Sequence, residues 1–142
     1  MRIAVLLLPL AGLLSAADEG TKAELAKMKG TWQGVSGEVD GRKANPMELE
    51  KTFLVIEGDR YTLQLPDAVR KGTFKIDPAK SPKQIDVTAA DGPDKGKTMR
   101  GIYELKGATL RYCLAQPQKD RPTEFTSKAG SGHVLYVHKR ME

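Results

Sequence analysis

The sequence holds one cysteine, two histidines and one tryptophan in 142 residues. A lone Cys113 cannot close an intramolecular disulfide, so the fold must stand without that staple. The histidines, His133 and His138, have opposite parity on the last alternating segment and cannot converge on one ion from a regular strand. No CxxC, HxH or HExxH spacing occurs, and neither a metal nor a cofactor is expected. The carboxylates Asp86, Glu104 and Glu124 are scattered, with no visible acid–base pair, so no enzyme is expected. No basic stripe with interleaved aromatics accompanies the formal charge of +5, which argues against nucleic-acid binding. Repeats, low-complexity tracts and interdomain linkers are absent.

What is present begins with a leader. Met1-Arg2 precedes an apolar run from Ile3 to Leu14, followed by Ser15-Ala16-Ala17. A positive start, a short apolar core and small residues at the cleavage positions make a secretory signal peptide over residues 1–17. The run falls short of the roughly 20 residues of a bilayer span, so no transmembrane segment is expected. No cysteine near the cleavage site offers a lipid anchor. Residues 18–142 then form one exported domain, periplasmic or extracellular. At about 125 residues it buries roughly two-thirds of its unfolded surface.

Residues 18–29 read as a short helix, with Thr21 and Glu24 spaced as a capping box. From Thr31 on, short alternating runs separated by Gly, Pro and Asp replace the helical period, the pattern of an all-β sandwich or barrel. Eight runs are counted, near 30–38, 51–57, 60–66, 71–77, 83–90, 98–105, 108–115 and 133–140. A helical turn is expected after Asn45-Pro46.

Two hairpins can be tested by register. With Gly58-Asp59 as a Gly-first turn, Ile56 faces Tyr61 and Leu54 faces Leu63, while Glu57 meets Arg60 on the other face. With Lys106-Gly107 as a turn, Tyr103 faces Leu110, Gly101 faces Tyr112, and Arg100 faces Cys113. Each hairpin gains one apolar face, which a one-residue slip would scramble. The fold class follows as all-β, an antiparallel up-and-down eight-stranded barrel with a short N-terminal helix. Eight strands suffice to close a small barrel and remove exposed edges.

Gly30-Thr31-Trp32 on the first strand, the eight-strand meander and the basic Lys139-Arg140 at its end resemble the lipocalin-like pattern. Closer still, "MKGTWQGVSGEVDGR", "GTFKIDPAKSPKQID", "GIYELKGATLRYCL" and "RPTEFTSKAGSGHVLYVHKR" resemble an uncharacterised planctomycete-associated family of exported lipocalin-like domains. That resemblance spans nearly the whole mature chain and carries no activity with it. The wider one implies that Trp32 plugs one barrel end with Arg140 packed over it, and that the interior binds a small apolar molecule.

The inward set supplies the pocket candidates Leu54, Ile56, Tyr61, Leu63, Phe74, Tyr103, Leu110 and Tyr112. Fourteen large inward residues by this parity, counted from the sequence, favour substantial filling. Gly34, Gly101, Ala89 and Ala108 would open space. The three tyrosines would supply polar tips, because a buried hydroxyl seeks a partner. Cys113 reads as a small residue under a loop; Arg100 beside it would be the one source of reactivity. Arg121 either binds an anion at the barrel mouth, pairs with Glu124 or covers the barrel end. Two functions remain: an exported binder of a small apolar or lipid-like molecule, or a solid barrel acting through loop contacts in the cell envelope.

Overall fold

The computed structural model describes residues 16–142, so most of the segment expected to be a signal peptide, residues 1–15, lies outside the described residues. Eleven elements follow in order: α1 Ala16–Met28, β1 Gly30–Val39, β2 Arg42–Lys43, α2 Pro46–Glu50, β3 Phe53–Glu57, β4 Arg60–Gln64, β5 Val69–Asp77, β6 Lys83–Ala89, β7 Thr98–Lys106, β8 Thr109–Leu114 and β9 Val134–Arg140. Neighbouring strands pair antiparallel from β3 through β9, and β1 bonds both β3 and β9. These eight strands form a closed up-and-down barrel, with β2 a two-residue flap on β1. Among the described residues no helix is long and apolar enough to cross a membrane.

The β3–β4 register is the expected one: Ile56 opposes Tyr61, Leu54 opposes Leu63 and Glu57 opposes Arg60. The β7–β8 register differs from expectation by two residues. Tyr103 opposes Tyr112, Gly101 opposes Leu114, and Leu105 opposes Leu110. The turn is Gly107-Ala108, with Gly107 first at φ 58°, the same role Gly58 fills at φ 59°. A left-handed first turn position suits glycine and not Lys106. A shift of two preserves parity, so the same side chains still point inward.

Other expectations need correction. Thr21 lies inside α1 and caps nothing, because the helix starts no later than Ala16. Glu24 is buried against the barrel instead of closing a capping box. Cys113 opposes Ile102, not Arg100. Gly34 and Gly101 do not open space. A Cβ on Gly34 would stand 3.0 Å from the Leu49 carbonyl, and one on Gly101 2.4 Å from Leu114 Cδ2. The expected turn after Asn45 is α2, its N-cap Asn45 side chain accepting from the Met47 N–H.

Even-numbered residues of β3, β5 and β9 and odd-numbered residues of β4, β6 and β7 meet inside. Trp32, Leu54, Ile56, Phe74, Tyr103 and Leu110 are buried in this one core. Each large side chain taken from water there contributes about 1.5–3 kcal/mol. Helix α1 closes the floor with Leu25 and Met28. Its Glu24 accepts from Tyr103 Oη at 2.9 Å and pairs with Lys83 Nζ at 2.6 Å.

Candidate functional site

The floor is built around Trp32. Its ring is fully buried, and Nε1 donates to the Met28 carbonyl at 3.0 Å. The Arg140 guanidinium carbon sits 4.2 Å from the ring centre. Arg140 also donates to the Lys29 carbonyl at 2.6 Å and to the Lys27 carbonyl. One side chain thus ties the last strand to the end of α1.

Above this floor the barrel leaves a cavity of about 210 Å³ with a mainly apolar lining. An apolar cavity of about 150 Å³ already accepts benzene. Leu54, Ile56, Tyr61, Leu63, Phe74, Tyr103, Leu110 and Tyr112 all line it, with Met28 at the bottom. Arg70, Asp91, Pro93 and Asp94 mark the rim, at the β5 start and the β6–β7 loop. The many large inward residues therefore leave the interior only partly filled, with the small Ala89 among the lining residues near the rim. Tyr61 occupies the space over Gly72, its hydroxyl 2.5 Å from where a Cβ would stand.

The polar groups of the interior are mostly engaged with one another. Tyr112 Oη and His138 Nε2 are 2.9 Å apart, and their rings stack at 5.4 Å between centres. Tyr136 stacks on His138 at 6.0 Å. Burial pushes the Tyr112 hydroxyl up and pulls the His138 imidazole down to about 4, so both stay neutral near pH 7. His138 Nδ1 is buried with no partner among the described residues. Burial also raises Tyr103, with the Glu24 hydrogen bond adding to it. Burial opposes the charge on Glu24, yet Lys83 and Tyr103 outweigh it and hold the carboxyl below its ordinary range.

His138 and Tyr136 were not among the pocket candidates, although both point inward. The parity of β9, read against Trp32 opposite Arg140, carries that signal. Arg121 is at none of the expected places. It donates to the Ile85 and Gly101 carbonyls at 3.1 and 2.8 Å and pairs with Asp86 at 2.8 Å. Those contacts fasten the 115–133 loop to the outer wall, and Phe125 adds a face to Arg111 at 3.9 Å. Cys113 is buried beneath the same loop, its thiol donating to the Thr126 carbonyl at 3.3 Å. Burial raises that thiol above its ordinary value. No family model, no curated protein and no solved structure matches the chain.

Proposed function

We propose that this protein is an exported lipocalin-like binder of a small apolar or lipid-like molecule held in the barrel interior. The observation that supports it is the cavity of about 210 Å³ above the Trp32 floor. Such a void leaves its lining side chains without partner atoms, a cost that an apolar guest removes. Two pairs of interior titratable groups are bonded to each other, Tyr112 to His138 and Tyr103 to Glu24, which favours a binder over a catalyst. The loop that an envelope-contact module would use is fastened to the outer wall through Arg121 and Thr126.

The test uses the neutral dye N-phenylnaphthylamine with the folded protein, and native mass spectrometry for a co-purified guest. Dye fluorescence should rise on mixing and saturate. Ala89→Phe, which places a ring into the cavity from β6, should suppress the rise while thermal melting stays cooperative. No enhancement with the native protein, and no carried ligand, would return the solid-barrel reading. N-terminal sequencing of the secreted product, expected to begin at Asp18, tests the leader.

A further inference from the structure

The cavity's polar groups differ in what they already bond. Tyr103 gives its hydroxyl to Glu24, and Tyr112 is joined to His138. Two inward groups near the rim are left over. The Tyr61 hydroxyl forms no hydrogen bond with another described residue. Burial, with Asp91 nearby, raises it and keeps it protonated. The second group is Arg70, which shares the inward parity of Gly72 and Phe74 and opposes Leu63.

The Arg70 side chain lies against Gly92 in the β6–β7 loop, its Nε 3.0 Å from where a Cβ would stand. Its one protein partner is the adjacent Val69 carbonyl, at a long 3.4 Å. Among the described residues no carboxylate oxygen comes within 4.0 Å of it. Two acids share the rim, but each is engaged elsewhere. Asp91 Oδ1 accepts from the Lys71 backbone N–H at 3.0 Å, and Asp94 faces Lys97 at 4.0 Å.

We propose that the barrel takes a single-tailed amphiphile with a carboxylate head. The tail lies against Leu54, Ile56 and Phe74, and the head meets the Arg70 guanidinium and the Tyr61 hydroxyl at the rim. This deepens the interior-binding reading and rests on it. A guanidinium has donors only, arranged as a fork that matches a carboxylate. An uncharged head leaves that fork without a charged partner at the edge of an apolar cavity. Asp91 and Asp94 would instead favour an ammonium head, which makes the matching amine the decisive competitor.

Isothermal titration of the folded protein near neutral pH with octanoate, octanol and octylamine separates these. Octanoate should bind about tenfold tighter than octanol, as a charge-assisted pair would give. Arg70→Gln should erase that preference and leave octanol affinity within about twofold. Arg70→Lys, which keeps charge and loses the fork, should fall between. Equal binding of octanoate and octanol overturns the carboxylate head alone. So does tighter binding of octylamine, or a preference that survives Arg70→Gln in a variant with unchanged melting. Binding of none of the three overturns the interior reading with it.

Discussion

The guanidinium carbon of Arg140 lies over the ring of Trp32, 4.2 Å from its centre, and the guanidinium holds two carbonyls at the end of α1. The first strand, the last strand and the helix therefore meet at one point. Trp32→Ala removes the fully buried floor and should cost about 3–5 kcal/mol in chemical denaturation. Arg140→Met keeps much of the stem and loses the cation contact and both hydrogen bonds; a smaller loss, about 1–3 kcal/mol, is expected. A change below about 0.5 kcal/mol for Arg140→Met would detach it from the plug.

His138 makes stability depend on pH with a definite sign. Its folded pKa is pulled by burial to about 4, below the 6.5 of the ordinary imidazole. Between those values the unfolded chain holds a proton that the folded chain refuses. Stability should thus fall as pH drops from about 6.5 to about 4, by of order 3 kcal/mol. The stacked neighbours Tyr112 and Tyr136 are raised and stay neutral throughout. Glu24, held below 4.5, adds its own loss only at more acid pH. Urea midpoints across this window should flatten in His138→Gln, whose amide can still meet Tyr112; an unchanged slope would point to other groups.

Cys113 should resist modification. Its thiol is fully buried, raised by that burial and bonded to the Thr126 carbonyl. An aromatic disulfide reagent should react with no more than a trace of it in native buffer and with all of it in denaturant. Prompt native reaction would mean that the 115–133 loop lifts from the wall.

Gly72→Ala should destabilise and also disturb the cavity. The added Cβ would stand 2.2 Å from the Thr88 carbonyl and 2.5 Å from the Tyr61 hydroxyl. Tyr61 can move aside, but the Thr88 carbonyl is backbone, so β5 must also part locally from β6. A loss of about 1–3 kcal/mol is expected, read by thermal melting alongside dye binding. Full stability in the variant would show that this corner of the barrel is slack.

The β3–β4 hairpin was legible because a Gly-first turn sets its register, and Leu54, Ile56, Tyr61 and Leu63 alternate cleanly. The β7–β8 hairpin obeys the same turn rule at Gly107, one residue later than Lys106-Gly107 would place it. Its inward set came through because parity survives a shift of two. The eight pocket candidates were legible for that reason, and they line one cavity. Arg70 was not, since a charged residue on an apolar face reads as solvent-facing until Gly72 and Phe74 fix its side. Arg121 was misplaced for a different reason: loop residues follow tertiary contacts, and its partners Ile85 and Gly101 are distant in sequence. His138 is a partial case: β9 parity points it inward, but its full burial follows from stacking on two tyrosines.

Pairing of β1 with β9 joins residues 95 to 108 positions apart, the widest separation at Trp32 and Arg140. Every other contact between barrel strands links sequence neighbours along the meander. The seam is therefore the one step that local folding cannot complete, and it must wait for the final strand to emerge from the ribosome. Nascent chains cut short before Val134 would carry Trp32 uncovered and both ribbon margins open, a natural target for a holdase chaperone.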